Sequence, residues 1–446
     1  GTLTAYAKIS WDNLVNTYLE ESLSYKLEYK LKDSEEEWKK VNTTQENVPR
    51  SEEASKIELA DEIEILSGVT YVYRITIKLE DLPDIDQTQD LGATLSTKFT
   101  LDEGSKPVTS EDILENLELK VKPGNPDFSV TATADETAEG LYSMEDDYGM
   151  SYYYRGAVEN NYVKFGQNKD GQDMWWRIIR INGDGSLRIQ YDGTQGWANG
   201  TVNNDRLAII SQPWNIIYED AKYVGWMFGG AQGEASTSYE EATRNETNSD
   251  IKTSVDNWYV ENIKNTGYEK YLSDEIFCND RTAYTDRAGT TLGNGYGRLE
   301  TYYGPFVRML NNKTPILKCP QKNDMFTLKD GVSSEVKRGE VEGNKALTYP
   351  IGLITADEIR LAGGVLDTSN TNYYLYQTSG YYVWAFSPYY NTSMAHMTVV
   401  HSNGLLGGCN VNYNLLAASP VINIAPNYAV NMQGIGTIEN PYHLGI

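Results

Sequence analysis

From Leu23 to Leu31 every second residue is apolar or aromatic, and the same alternation returns from Tyr71 to Leu79. A period of two cannot line one side of a helix, whose faces repeat every three to four residues. It fits a strand with one face in a core and the other in water. Weaker strand candidates cover 57–66 and 95–101. Together they predict an all-β sandwich over 1–105, acting as a stalk or assembly domain.

Charge locates the next boundary. Residues 1–120 carry 13 Lys/Arg and 26 Asp/Glu, whereas between 371 and 446 the only charged residue is Glu439, among 10 Asn and 10 Tyr. Such a seam marks a change of domain or of surface role. The 446 residues suggest two to four domains of roughly 100–200 residues each. A net charge of -25 repels nucleic-acid backbone and anionic lipid, so neither is an expected partner. No apolar run reaches roughly 18 residues, which excludes membrane insertion by a helix. The opening Gly1-Thr2-Leu3 is not a signal peptide; either one has been removed or the sequence begins after it.

Residues 106–137 read as a connector, with a short helix at 111–119 capped by Ser110 and broken at Lys122-Pro123-Gly124-Asn125-Pro126. Beyond it, 162–165 and 175–181 read as strands. Asn182-Gly183-Asp184-Gly185 turns the chain into a further strand at 186–191, forming a hairpin. Apolar spacing over 250–263 predicts a helix, with 355–362, capped by Thr355, as its partner helix. Strands with a few helices indicate an α+β domain over 138–446.

Two stretches carry a resemblance. Tyr154-Arg155-Gly156-Ala157-Val158-Glu159-Asn160-Asn161-Tyr162-Val163-Lys164-Phe165, followed by Trp176-Arg177-Ile178-Ile179-Arg180-Ile181-Asn182-Gly183-Asp184-Gly185, resembles a family of exported Firmicutes proteins. Tyr349-Pro350-Ile351-Gly352-Leu353-Ile354-Thr355-Ala356-Asp357-Glu358-Ile359 and Pro420-Val421-Ile422-Asn423-Ile424 extend the match, which covers about 140–446. The C-terminal domain of that family is similar to the C-type-lectin-like fold of formylglycine-generating-enzyme-related modules and of variable proteins of diversity-generating retroelements. That fold hosts many functions. Near the N-terminus, Tyr73-Arg74-Ile75-Thr76-Ile77 and Leu95-Ser96-Thr97-Lys98-Phe99-Thr100 resemble camelysin/TasA-like domains, though a fibronectin-type sandwich would read similarly.

Export, as the resemblance implies, makes Cys278 and Cys319 a structural disulfide and leaves Cys409 free. A catalytic thiol pair lacks a neighbouring His base. His396, His401 and Cys409 invite a metal reading, but no Asp or Glu stands between them and the spacing is irregular, so no metal or other cofactor is expected. Asn168-Lys169-Asp170-Gly171-Gln172-Asp173 and Asn182-Gly183-Asp184-Gly185 are faintly similar to Ca²⁺ loops. Without a closing Glu they read as turns. No nucleophile elbow, P-loop, dinucleotide fingerprint or zinc-protease helix is present, so the chain is not read as an enzyme.

The frame over 381–424, from Trp384 through Ser387-Pro388-Tyr389-Tyr390 to Pro420-Val421-Ile422-Asn423, resembles the variable proteins. Under that resemblance the scattered residues are a diversified ligand-binding face: Met394, His396, Thr398, His401, Leu405, Cys409, Asn412, Tyr413 and Leu415, with Tyr389 and Tyr390 as anchors. Neutral Tyr and Asn suit such a face, giving large contact area and adaptable hydrogen bonds. The expected function is ligand binding at the cell surface or outside the cell, to a protein or cell-surface partner. Self-assembly through the N-terminal domain, a pilin-like or matrix role, and a glycan-binding lectin or enzyme of the same fold remain alternatives.

Overall fold

The computed structural model describes residues 4–445 except 36, 42, 44–46, 84, 133–139, 312–313, 330, 333–340 and 378–379. It divides into two compact units, Gly1–Pro107 and Val108–Ile446, rich in β-structure and built from several sheets.

In the first unit, Thr4–Asn16 lies between Ser51–Leu66 and Leu95–Glu103 in one antiparallel sheet. Leu23–Leu31 lies between Lys39–Lys40 and Tyr71–Leu79 in the other. The alternating side chains do what their period requires. Ile9, Trp11 and Leu14 from one sheet and Leu23, Tyr25 and Leu27 from the other share a single core, with the Trp11 and Tyr25 rings 4.8 Å apart.

The segment expected as a connector is part of the second unit. Its helix, Ser110–Asn116, is capped by Thr109 rather than Ser110, through a capping box with Asp112. Ile113, Leu114 and Leu117 enter the main core of that unit. Further on, Arg155 donates to the carbonyls of Asp127 and Val130, and Arg360 donates to that of Phe128. Apolar burial and two guanidinium clamps fix 108–132 in place; the remaining connector residues, 133–137, lie outside the described ones.

Two larger sheets make up the second unit. The first runs Val421–Ile424, Leu187–Gly193, Asp173–Ile181, Tyr162–Gln167, Tyr442–Leu444, Met432–Gln433, with Leu141–Glu145 and Met150–Tyr154 attached at Asp173–Ile181. The turn between Asp173–Ile181 and Leu187–Gly193 is buried, and Asp184 there accepts from the backbone N and Oγ of Ser186. Asn168 forms a similar exposed turn, accepting from the N–H groups of Asp170 and Gln172. Helix Asp250–Asn262, capped by Ser249, meets strand Ile209–Ile210. Helix Ala356–Ala362, capped by Thr355, meets Met150–Tyr154 and Tyr382–Asn391 instead, so each packs on strands of its own.

The second sheet carries the C-terminal face. Its order is Ile209–Ile210, Leu416–Ala418, Tyr382–Asn391, Thr301–Tyr303, Ala283–Tyr284, while Ala395–Val400 and Leu406–Asn410 extend Tyr382–Asn391 as an antiparallel meander.

Candidate functional site

The turn after Tyr382–Asn391 places Ser393 at φ 79 and presents Met394 to solvent. Asn391 pairs with Ala395 and Tyr390 with His396, which in turn opposes Asn410. The chain then loops through 411–415 before re-entering the sheet as Leu416–Ala418. A segment two hundred residues earlier runs beside this loop. Asn215 N donates to Val411 O (3.0 Å), Gln212 N to Leu416 O (3.0 Å), Ala395 N to Tyr218 O (2.9 Å), and Val411 N to Ala395 O (3.0 Å). Along this main-chain lattice stand five exposed apolar side chains: Ile210, Ile216 (68% exposed), Met394, Tyr413 and Leu415 (54%).

Of the residues expected on the face, Tyr390, Met394, His396, Asn412, Tyr413 and Leu415 come together here. The His396 ring lies 4.6 Å from that of Tyr390, and its Nδ1 is 2.8 Å from Met394 O. Burial lowers the His396 pKa, outweighing that contact, so the ring is neutral at physiological pH. Asn410 donates to Met394 Sδ, tying the two edges of the patch.

The other expected residues sit elsewhere. Tyr389 is buried beneath the face, its ring 4.4 Å from Phe306 and lying against Gly408, where a Cβ would approach it to 2.2 Å. A register shift between Pro388 and Tyr390 turns both tyrosines toward Phe306, so Tyr390 alone reaches the rim. Thr398 is fully buried and supports the sheet from inside. Cys409 opposes Met397 on the side away from His396; burial pushes its thiol up to about 11, well away from a reactive thiolate. His401 and Leu405 belong to the turn at the opposite end of the hairpin. There the His401 ring stacks 4.1 Å from Tyr382, and burial lowers its pKa against the opposing pull of Asp367. Five residues of extended chain put His396 and His401 roughly 16 Å apart. They and Cys409 therefore do not converge on one metal ion. Among the described residues no group of three or more His, Cys, Asp or Glu is placed to hold one.

Ile210, Ile216 and Tyr218 were not among the expected residues. Only long-range pairing brings them to the face, and no local pattern announces it.

A second polar locus lies inside the unit. Arg180 contacts Asp146 (2.7 Å) and Glu358 (3.0 Å); Arg188 forms an ion pair with Glu358 at 2.6 Å; Arg308 bridges Asp280 and Asp357, each at 2.6 Å. Burial opposes ionisation of Glu358, but Arg188 and Arg180 outweigh it and hold the carboxyl below its usual range. Asp147, at the edge of the cluster, accepts from Cys319 N, and burial raises its pKa to about 6. Burial raises the pKa of both buried carboxyls, Asp184 and Glu275, and the charge of Asp184 pushes Glu275 further up. The space among these groups is about 30 Å³, enough for a water molecule or two. Three guanidinium groups are held among five carboxyls here, and the room left suits water rather than an organic ligand.

Cys278 and Cys319 form a disulfide beside this network, with Cα atoms 5.6 Å apart, and Cys409 is free. Structural disulfides persist in oxidising compartments, which accords with an extracellular setting. Among the described residues no helix is long and apolar enough to cross a membrane.

Comparison of the chain with family models, with curated proteins and with solved structures returned no match.

Proposed function

We propose that the chain is a surface-displayed or secreted ligand-binding protein, whose larger unit is a C-type-lectin-like domain presenting a retroelement-diversified face. The observation that carries the reading is the set of exposed apolar side chains Ile210, Ile216, Met394, Tyr413 and Leu415 along a lattice of backbone hydrogen bonds. Contiguous exposed apolar groups rimmed by polar ones are characteristic of interaction sites. The rim from the C-terminal stretch is uncharged, made of Asn410, Asn412, Asn414 and the half-buried His396 and Tyr390, while the Asp250 carboxylate accepts from Ile216 N at the other side. Tyr413, Leu415 and Met394 are the side chains placed to enter a partner's pockets, and the asparagines are placed to satisfy its polar groups. A protein ligand suits this patch better than a glycan, since apolar area exceeds the fixed hydrogen-bonding groups.

Two experiments test the two halves. Wild-type chain and a Met394→Ser/Tyr413→Ala/Leu415→Ser variant are applied to arrays of extracellular proteins and of glycans. Binding to a protein spot that the variant loses supports recognition through this face; equal binding by both overturns it. For diversification, the coding DNA is read for a near-copy of codons 381–424 that differs only at adenines, beside a reverse-transcriptase gene. Absence of that copy removes diversification while leaving the binding face to the array result.

A further inference from the structure

The sandwich of the first unit is closed along one flank and open along the other. On the closed flank, Ile9 and Ala7 oppose Ala60 and Ile63, all buried, and Val41 and Val48 bury themselves beside Leu23–Leu31. On the open flank, Trp11 (1% exposed) opposes Phe99 (41%), and Ile9 opposes Leu101 (53%). Directly opposed residues share a face of the sheet. Phe99 and Leu101 therefore point the same way as the core residues Trp11 and Ile9, yet stand in water. The second sheet repeats this: Ile77 and Leu79 oppose the buried Tyr25 and Leu23 and are exposed.

The two open strands belong to the same flank. The turn at 17–22 and the loop at 80–94 are bonded through Thr17 N to Thr94 O, Glu80 N to Ser22 O, and the carboxylate of Asp90 to Leu19 N and Ser22 Oγ. Among the described residues neither Leu95–Glu103 nor Tyr71–Leu79 has a partner on its outer edge. An unpaired edge backed by exposed core-facing side chains is a template for an added strand.

The sequence of Leu95–Glu103 selects the strand that fits it. Two copies run antiparallel with Thr100 opposite itself would set Phe99 against Leu101 of the second copy and Lys98 against its Asp102. The two-fold axis repeats each contact. Phe99–Leu101 is apolar with apolar on the core side and Lys98–Asp102 is cation with anion on the wet side, while Thr100 meets itself and Thr97 meets Glu103 towards the strand ends. A slip of one residue would turn the core side of the second copy to the opposite face of the joined sheet. Tyr71–Leu79 has no such match: it holds Arg74 and Lys78 but no acid, so no register with itself gives an ion pair.

We propose that the first unit is a self-recognition module, in which Leu95–Glu103 pairs with the same strand of a second copy and joins the two sheets containing Thr4–Asn16 into one. The interface is isologous and closes as a dimer. Phe99 and Leu101 of both copies complete each other's open cores, while Lys98 and Asp102 set direction and register.

Two single charge variants test it on the full chain, by sedimentation over a range of micromolar concentrations. Lys98→Asp sets acid against acid across the two-fold, and Asp102→Lys sets base against base. Wild type is expected as a dimer and each variant alone as a monomer. An equimolar mixture of the two variants is expected to form a mixed dimer. There the introduced acid of one chain meets the introduced base of the other, and the unaltered Asp102 of the first meets the unaltered Lys98 of the second. Recovery on mixing also shows that neither variant had misfolded. A monomeric wild type, single variants that remain dimeric, or a mixture that stays monomeric would each overturn the proposal.

Discussion

Arg180 and Leu415 belong to the same unit under opposite conditions. The guanidinium of Arg180 is out of water and held by Asp146 and Glu358, while the isobutyl group of Leu415 stands half in solvent. The contrast is general: this unit fully buries Arg155, Arg177, Arg188, Arg206 and Arg281, whereas its exposed C-terminal face is uncharged. A buried charge must be met by a matching group at a set distance, so each one constrains its neighbours. An exposed Leu or Tyr requires nothing of its surroundings. Charge therefore shapes the interior here, and neutrality leaves the face open to change.

The deepest way to break that contrast is to unmatch the interior. Glu358→Ala leaves Arg180 and Arg188 without their shared acid and removes the capping box at Thr355. It is expected to lower stability by about 3–5 kcal/mol in denaturant titration. Since the Glu358 carboxyl lies below its usual range when folded, its contribution is present above the ordinary carboxylate pKa and is lost as pH falls through the folded value. A loss under 1 kcal/mol in denaturant would mean that the network is not matched as described.

Cutting the adjacent covalent link should have the next largest effect. Cys278→Ser opens a loop of 41 residues and is expected to cost about 2–4 kcal/mol, read as a lower melting temperature. An unchanged melting temperature would deny the bond a structural role.

Asp147 offers a change of opposite sign. Its folded pKa of about 6 is above the ordinary value near 3.9, so the group costs nothing below both values. The cost grows as pH rises between them and is complete above 6. Asp147→Asn keeps an oxygen to accept from Cys319 N and is expected to stabilise by about 1–2 kcal/mol at pH 7.5, with no difference at pH 4. A gain that persists at pH 4 would point to another cause.

On the face, Tyr413→Ala and Leu415→Ser are each expected to shift stability by less than about 0.5 kcal/mol while weakening ligand capture. A large destabilisation by either would show that the face is part of the core.

Local patterns in the sequence were enough for the hairpin of Asp173–Ile181 and Leu187–Gly193, where β-rich runs flank an Asn-Gly turn, and for Leu23–Leu31 and Tyr71–Leu79 to the residue. Thr4–Asn16 escaped notice because register shifts around Asn13, at φ 52, break its alternation. The amphipathic helix at Ser110–Asn116 was visible but its destination was not, since the core that Ile113 enters is assembled from residues far along the chain. The face was legible only in part. Met394, Tyr413 and Leu415 stood out in a neutral stretch, whereas the burial of Tyr389 and Thr398 depends on a bulge and a sheet face that composition does not encode. The interior arginines were the least legible, because a charged residue read alone is assigned to water.

The loop at 411–415 is held by main-chain groups: Asn215 N to Val411 O, Val411 N to Ala395 O, Gln212 N to Leu416 O. Every amino acid brings the same carbonyl, and all but proline bring the same amide. Replacing Met394, Asn412, Tyr413 or Leu415 therefore leaves the bonds of the mount unchanged, and tolerance at one position does not use up tolerance at the next. Such tolerances multiply, so one backbone accepts a very large set of surfaces at these positions.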